Sequence, residues 1–246
     1  MSWRRRRDET RLAFMLLSRL PMGRMETPPP MADAVWAYPV VGAVVGAASG
    51  LVFWLAAWAG LPGLAAALLA IGASVALTGA MHEDGLADMA DGFGGGRTRA
   101  RKLEIMRDSR IGSYGVVALV LTLGLRAACL AALPGADMVW RLAATGALSR
   151  ALLPMVMLVL PPARADGLGQ MAGTGMALAP ALAGLGLAAL LFWPFLPAFA
   201  AMALAAAGVC ALAKRQIGGF TGDILGGAQL LAETAGLCVL AGRFHG

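Results

Sequence analysis

The chain has 246 residues, of which 59% are hydrophobic, 33 are glycine and only 14% are charged. A soluble domain carries about 25% charged residues, so an ordinary cytosolic globule, a disordered chain and a collagen-like chain are all excluded. The three cysteines, Cys129, Cys210 and Cys238, sit inside apolar runs with no pairing pattern, which excludes a disulfide framework. What remains is an all-α, polytopic integral membrane helical bundle, expected as one catalytic domain over 1–246.

In chain order, a basic segment at 1–34 comes first. Its apolar stretch Leu12–Leu20 is too short to span and is expected to lie in the interface or to pack. The basic front lacks a convincing small-residue cleavage site, so no removable leader is expected. A spanning helix needs roughly 20 apolar residues. Candidates lie at 36–59, 62–81, 113–133, 139–160, 177–193, 196–213 and 221–241. The fifth and sixth meet at Trp193-Pro194-Phe195-Leu196-Pro197, where proline removes a backbone donor and clashes with the preceding turn. The expected count is therefore six or seven.

Charge placement orients the bundle. Residues 1–24 hold seven arginines, and 81–110 hold Arg97, Arg99, Arg101, Lys102, Arg107 and Arg110, together 13 of the 20 basic residues. Two candidate spans separate these regions, so both fall on one side, and an excess of Lys and Arg marks the cytoplasmic side. The expected location is the bacterial cytoplasmic (inner) membrane, with the N-terminus and an acidic loop at 81–112 in the cytoplasm. The net charge of +6 reflects topology. No basic stripe is interleaved with aromatics, so nucleic acid is not an expected partner; the lipid bilayer is.

Six of the 14 acids lie between 81 and 110. Asp84, Asp88 and Asp91 are spaced by four and three, which puts all three on one helical face. Anions that close must take up protons or share a cation. A hard cation with oxygen ligands, Mg2+ above all, suits them, and it is usually shared between one or two carboxylates and substrate phosphates. The alternative is a solvated acidic helix end balanced by arginines. Gly94, Gly95 and Gly96 follow, either a turn whose N–H groups face an anion or a flexible link. Glu104 and Asp108 are again four apart, beside Arg107 and Arg110, which either hold phosphate or pair with these acids. His82 has no second histidine at the spacing of a zinc motif. It is a candidate general base or hydrogen-bond donor, or a satisfied interfacial histidine. Arg126, Arg150 and Glu233 fall inside spans, where a charge costs at least ~2.5–3.5 kcal/mol near the centre. They either serve a substrate or lock helices as an Arg–Glu pair. Asp223, in the glycine-rich run 218–226, starts the last span on the same side as the acidic loop.

Together these residues resemble one family. The pattern H-x-D-G-L-A-D-x-x-D-G at 82–92 is similar to the central motif of the cobalamin synthases, the adenosylcobinamide-GDP ribazoletransferases. So are E-I-M-R-D-S-R-I-G-S-Y-G at 104–115 and G-G-x-T-G-D-x-L-G at 218–226. Weaker similarity runs through Leu17–Pro21, Tyr38–Gly42, Ser149 and Arg150. Glu83 and Met89 depart from the pattern without touching its acids. The resemblance implies a Mg2+-dependent membrane transferase. It joins adenosylcobinamide-GDP to alpha-ribazole, or its 5'-phosphate, and releases GMP, with adenosylcobalamin or its 5'-phosphate as product. It implies Asp84, Asp88, Asp91 and Asp223 as metal ligands, and His82, Asp84, Asp88, Asp91 and Asp108 as catalytic candidates, with the base open between His82, Asp88 and Asp108. Gly94, Gly95, Gly96, Glu104, Arg107, Arg110, Arg150 and Glu233 are then the substrate- or phosphate-binding candidates. A homo-oligomer, or association with other cobalamin-pathway enzymes, stays open. One rival is a CDP-alcohol phosphotransferase, whose motif shares D-x-x-D-G but whose second half is missing here. A cation-coupled transporter is another, disfavoured because the acids cluster in one loop and no second copy exists.

Overall fold

Long runs of alanine, leucine and valine without charge satisfy their backbone internally only as helices in a membrane. The computed structural model, which describes residues 3–164 and 175–243, is accordingly helical. Its α-helices, in chain order, are α1 (Trp3–Leu17), α2 (Tyr38–Trp58), α3 (Gly63–Thr78), α4 (Met81–Gly95), α5 (Arg99–Ile105), α6 (Ser113–Ala132), α7 (Met138–Ala151), α8 (Leu153–Val159), α9 (Leu178–Leu191), α10 (Leu196–Ile217) and α11 (Gly222–Gly242). Among the described residues the only β-type pairing is an isolated parallel bridge between Pro162 and Phe220.

Among the described residues, five helical runs are long and apolar enough to cross a membrane: Val35–Trp58, Ser113–Ala132, Gly135–Val159, Trp193–Ile217 and Gly222–Gly242. The pair α3 and α4 makes a sixth if it is taken as one bent span. Six thus agrees with the sequence reading and seven does not. The candidate at 177–193 contracts to α9, whose 14 residues reach about 21 Å, against a hydrocarbon core of about 30 Å. The candidate at 62–81 stops at Thr78, because Gly79 (φ 69°) and Ala80 (φ 60°) turn left-handed. The chain then leaves at 90° as α4. The acids of α4 make it the polar limb of this pair and α3 the apolar one.

The acidic segment at 81–112 was expected as a loop. It is two helices, α4 and α5, followed by a turn. Glycine is a poor helix former, yet Gly85, Gly92, Gly94 and Gly95 all lie in α4. Packing against α6 and α11 overrides their propensity.

Small residues set the bundle's tightest contact. On α2, Gly42, Gly46 and Gly50 repeat every fourth residue along the face toward α7. A Cβ at Gly42 would lie 2.0 Å from the Gly146 carbonyl oxygen, and one at Gly46 would lie 1.9 Å from that of Leu142. Only glycine admits that approach, the usual device of helix pairs in lipid, where packing replaces a hydrophobic driving force. The apolar residues Leu12, Ala13 and Leu17 of α1 are buried, so the stretch expected at the interface or in packing packs on the bundle. Its Glu9, fully buried, pairs with Arg5 (3.1 Å) and Arg6 (3.0 Å) and accepts from Trp36 Nε1 (2.7 Å).

Candidate active site

The crossing of α4 and α11 builds the site. A Cβ at Gly85 would lie 2.9 Å from the Asp223 carbonyl oxygen and 3.1 Å from Gly226 Cα. Two glycines facing each other thus bring the first turn of α11, with Asp223, against the turn of α4 that carries Asp84 and Asp88. Residues 141 and 135 positions apart in sequence become neighbours for a steric reason.

A second feature fixes the corner around Asp223. The Ala163 N–H donates to the Phe220 carbonyl at 2.8 Å and the Phe220 N–H to that of Pro161 at 2.9 Å. This bridge places Arg164 Nη1 3.5 Å from Asp223 Oδ2, while Arg164 Nη2 donates to the Leu103 carbonyl (3.0 Å). Thr221 caps α11 by accepting from the Ile224 N–H (3.3 Å) and donates to Asp223 Oδ2 (3.1 Å). Arg99 donates to the carbonyls of Ile217 (2.7 Å) and Ala163 (2.8 Å), tying α5 to the same corner.

Electrostatics follow from this crowding. Burial, then the neighbouring charges of Asp84, Asp223 and Asp91, push the Asp88 carboxyl up to about 7, with Arg164 opposing. Beside the acids is a cavity of about 230 Å3. Asp84 and Asp223 stand in its wall with His82, Tyr38 and a set of leucines and methionines. Asp84 is exposed and marks the open end.

The remaining candidates separate. Asp91 is buried and turned away: it accepts the N–H groups of Gly112 (2.7 Å) and Gly115 (2.9 Å) at the start of α6. Its oxygens are thus engaged by backbone donors. Gly94 and Gly95 end α4 and Gly96 caps it, and none of the three has positive φ. A Cβ at Gly94 would lie 2.5 Å from the Tyr114 ring, and one at Gly96 2.5 Å from Lys102 Cγ. Close packing explains these glycines, and the turn expected there is helix. Glu104 pairs with Arg101 (2.9 Å) on an exposed face. Arg110 pairs with Asp108 (2.8 Å) and holds that carboxyl down at about 2. Such an acid is a poor proton acceptor near neutrality. Arg107 is exposed on the turn after α5, within electrostatic reach of Asp223.

Arg150 and Glu233 lie in the bundle core, apart from the cavity. Glu233 is held by Arg126 Nη2 (2.9 Å), Arg150 Nη1 (3.6 Å), Ser149 Oγ (3.4 Å) and Gln229 Nε2. Of the two arginines that the sequence offers for an Arg–Glu pair, Arg126 is the closer. Nothing in a linear pattern ranks two arginines on different helices. Sequence reasoning missed Arg164, visible only as a topology charge, and Gln229, one turn before Glu233 on the same face. His82, on the first turn of α4, is buried, and its Nε2 has no hydrogen-bond partner among the described residues.

Among the described residues no three His, Cys, Asp or Glu side chains gather closely enough to hold a metal ion unaided. Mg2+ needs fewer, because it keeps waters and takes one or two carboxylates plus phosphate oxygens. Asp84 and Asp223, both in the cavity wall, offer two carboxylates that fit an ion of that kind.

The family model described as cobalamin-5-phosphate synthase matches residues 9–241. A Bradyrhizobium diazoefficiens protein named adenosylcobinamide-GDP ribazoletransferase is 46% identical over 244 residues, covering 95% of this chain and 93% of its own length. Proteins of the same name from Azorhizobium caulinodans and Mesorhizobium japonicum are 46% and 44% identical over 240 and 242 residues. They cover 91% and 94% of this chain and 91% and 92% of their own lengths. No solved structure matches. The match spans nearly the whole length, and the chain belongs to the cobalamin-5-phosphate synthase family.

Proposed function

We propose that this chain joins adenosylcobinamide-GDP to alpha-ribazole, or its 5'-phosphate, with release of GMP, using Mg2+ at the cytoplasmic face of the inner membrane. The observation that carries the reading is the meeting of Asp84 and Asp223 at one cavity, across the α4–α11 contact and within electrostatic reach of Asp88, in a chain whose relatives bear the ribazoletransferase name.

The reaction displaces GMP from the phosphate next to the cobinamide by a hydroxyl of the ribazole. It has two obstacles: the charge of the pyrophosphate and the weakness of a hydroxyl nucleophile. Asp84 and Asp223 hold the ion. Bound Mg2+ supplies Lewis-acid neutralisation of phosphate oxygens. Asp88, beside these two acids, accepts the hydroxyl proton as general base. Arg107 and Arg164 add positive charge at the same edge, where the departing phosphate gains negative charge. Arg164 also restrains Asp223 through its 3.5 Å contact. Asp91 organises the loop that carries Arg107 by anchoring its far end to α4.

The test is an assay on detergent-solubilised protein with both substrates, in Mg2+ or in EDTA, following GMP and corrinoid by chromatography. Mg2+-dependent GMP release matched by cobalamin formation is expected. No product from folded protein across several lipids would overturn the reading.

A further inference from the structure

The cavity beside the acids is larger than the metal chemistry requires and has the wrong walls for it. Leu17, Met31, Leu153 and Met157 line it, with backbone at Gly85 and Gly226. One polar side chain in it is not acidic, histidine or engaged elsewhere. Tyr38, at the start of α2, is 4% exposed, lines the cavity, and its hydroxyl makes no hydrogen bond among the described residues. A hydroxyl that lines the cavity with no protein partner is open to pair with a bound molecule. A tyrosine so placed suits a ligand that is apolar over most of its surface and brings one hydrogen-bonding atom.

Size narrows the choice. About 230 Å3 is below the ~300–1,000 Å3 of a pocket that encloses a whole drug-sized ligand, so the cavity seats a fragment and excludes the corrin ring. Three fragments of the substrates are flat heterocycles. Guanine and the adenine of the adenosyl group carry polar atoms on several edges, and leucine and methionine walls leave these unpaired. The benzimidazole of ribazole is methylated, mostly carbon, and keeps one unsubstituted ring nitrogen, an acceptor. Its ribose hydroxyls then point to the open end, where Asp84 and Asp223 stand.

We infer that the cavity between α1, α2, α4, α8 and α11 seats the benzimidazole base of ribazole, with the Tyr38 hydroxyl donating to its unsubstituted ring nitrogen. This assignment rests on the ribazoletransferase reading of the same site. It makes Tyr38 a specificity residue: it recognises one ring nitrogen, and the leucines and methionines reject bases with polar edges.

Steady-state kinetics of Tyr38→Phe and of the unaltered enzyme test it. The substitution removes one oxygen and keeps the ring. KM for alpha-ribazole should rise about three- to tenfold, the worth of one neutral hydrogen bond, while KM for adenosylcobinamide-GDP stays put. With the unaltered enzyme, free 5,6-dimethylbenzimidazole should compete with alpha-ribazole and not with adenosylcobinamide-GDP, a readout independent of any variant's folding. Unaltered enzyme that turns over, with both effects falling on adenosylcobinamide-GDP, would overturn the inference in favour of one of that substrate's purines. Absence of both effects would overturn it too, as when a lipid chain fills the cavity. Unaltered enzyme that releases no GMP would overturn the underlying reading, and the inference with it.

Discussion

The Asp91 carboxylate accepts the N–H of Gly115 at 2.9 Å, and its other oxygen takes that of Gly112 at 2.7 Å. One acid of the central motif therefore caps a neighbouring helix. It satisfies donors that every helix N-terminus leaves unpaired, and its negative charge suits the positive end of the helix dipole. Asp91→Asn replaces an acceptor by an amide that points donors at donors. It should lower stability by about 1–3 kcal/mol and leave the Mg2+ concentration needed for half-maximal rate unchanged. Thermal unfolding in detergent and a Mg2+ titration of the residual activity check this. An intact melting curve with a large Mg2+ shift would make Asp91 a ligand.

Asp84 and Asp88 divide the remaining work differently. Asp84→Asn should raise the Mg2+ requirement and recover rate as Mg2+ is added. Asp88→Asn should lose about a hundredfold or more in kcat, the usual contribution of a general base, at any Mg2+ concentration. Mg2+ titrations of both variants separate the two roles. Identical behaviour would refute the division.

The pH dependence has a fixed sign. Asp88 moves from an ordinary value of 3.8 up to about 7, so between these values the metal-free folded protein holds more protons than the unfolded chain. Its stability from this group is present at low pH and falls as pH rises toward 7. A cation reverses that trend by displacing the proton. Because Asp88 is coupled by charge to the ion's ligands Asp84 and Asp223, the apparent Mg2+ dissociation constant should then rise as pH falls below 7. Mg2+ should also raise the melting temperature more at pH 8 than at pH 6. Calorimetry at three pH values measures both.

In the bundle core, Glu233 is shared between Arg126 and Arg150. Removing one partner of a buried pair leaves an uncompensated charge and costs about 3–5 kcal/mol. Glu233→Gln should therefore sharply reduce folded protein in membranes. The double variant Arg126→Met with Glu233→Gln should fare no worse than Glu233→Gln alone, because the second change removes a cation that the first orphaned. Yields from size-exclusion chromatography decide it. Additive losses would show that the two residues act independently.

Much of this protein is legible along the chain because membrane insertion is governed by local quantities. Apolar length located every span except the fifth candidate, where α9 falls short, and the second, which bends at Gly79. The density of acids between residues 81 and 91 marked the metal-binding candidates, since charge is scarce and its cost in such a chain is high. The motifs pointed to the family in the same way, through residues adjacent in sequence. The helical spacing of Asp84, Asp88 and Asp91 was legible, but the helix's continuation through Gly92, Gly94 and Gly95 was not, because glycines argue against helix and only packing on α6 and α11 reverses that local preference.

The sequence by itself determined that the chain is a helical membrane protein with an acidic face on one side, and which family it joins. Tertiary structure alone decided which acid meets which partner. Asp91 turns to α6 and Asp223 comes to Asp84 and Asp88, because Gly85 and Gly226 let two helices touch. Arg126 reaches Glu233 from a helix 107 positions away in sequence, and Tyr38 closes a cavity whose other walls come from four other helices. Those pairings depend on where glycines permit backbones to approach. That is a property of surfaces fitted together in space, and no spacing along one helix encodes it.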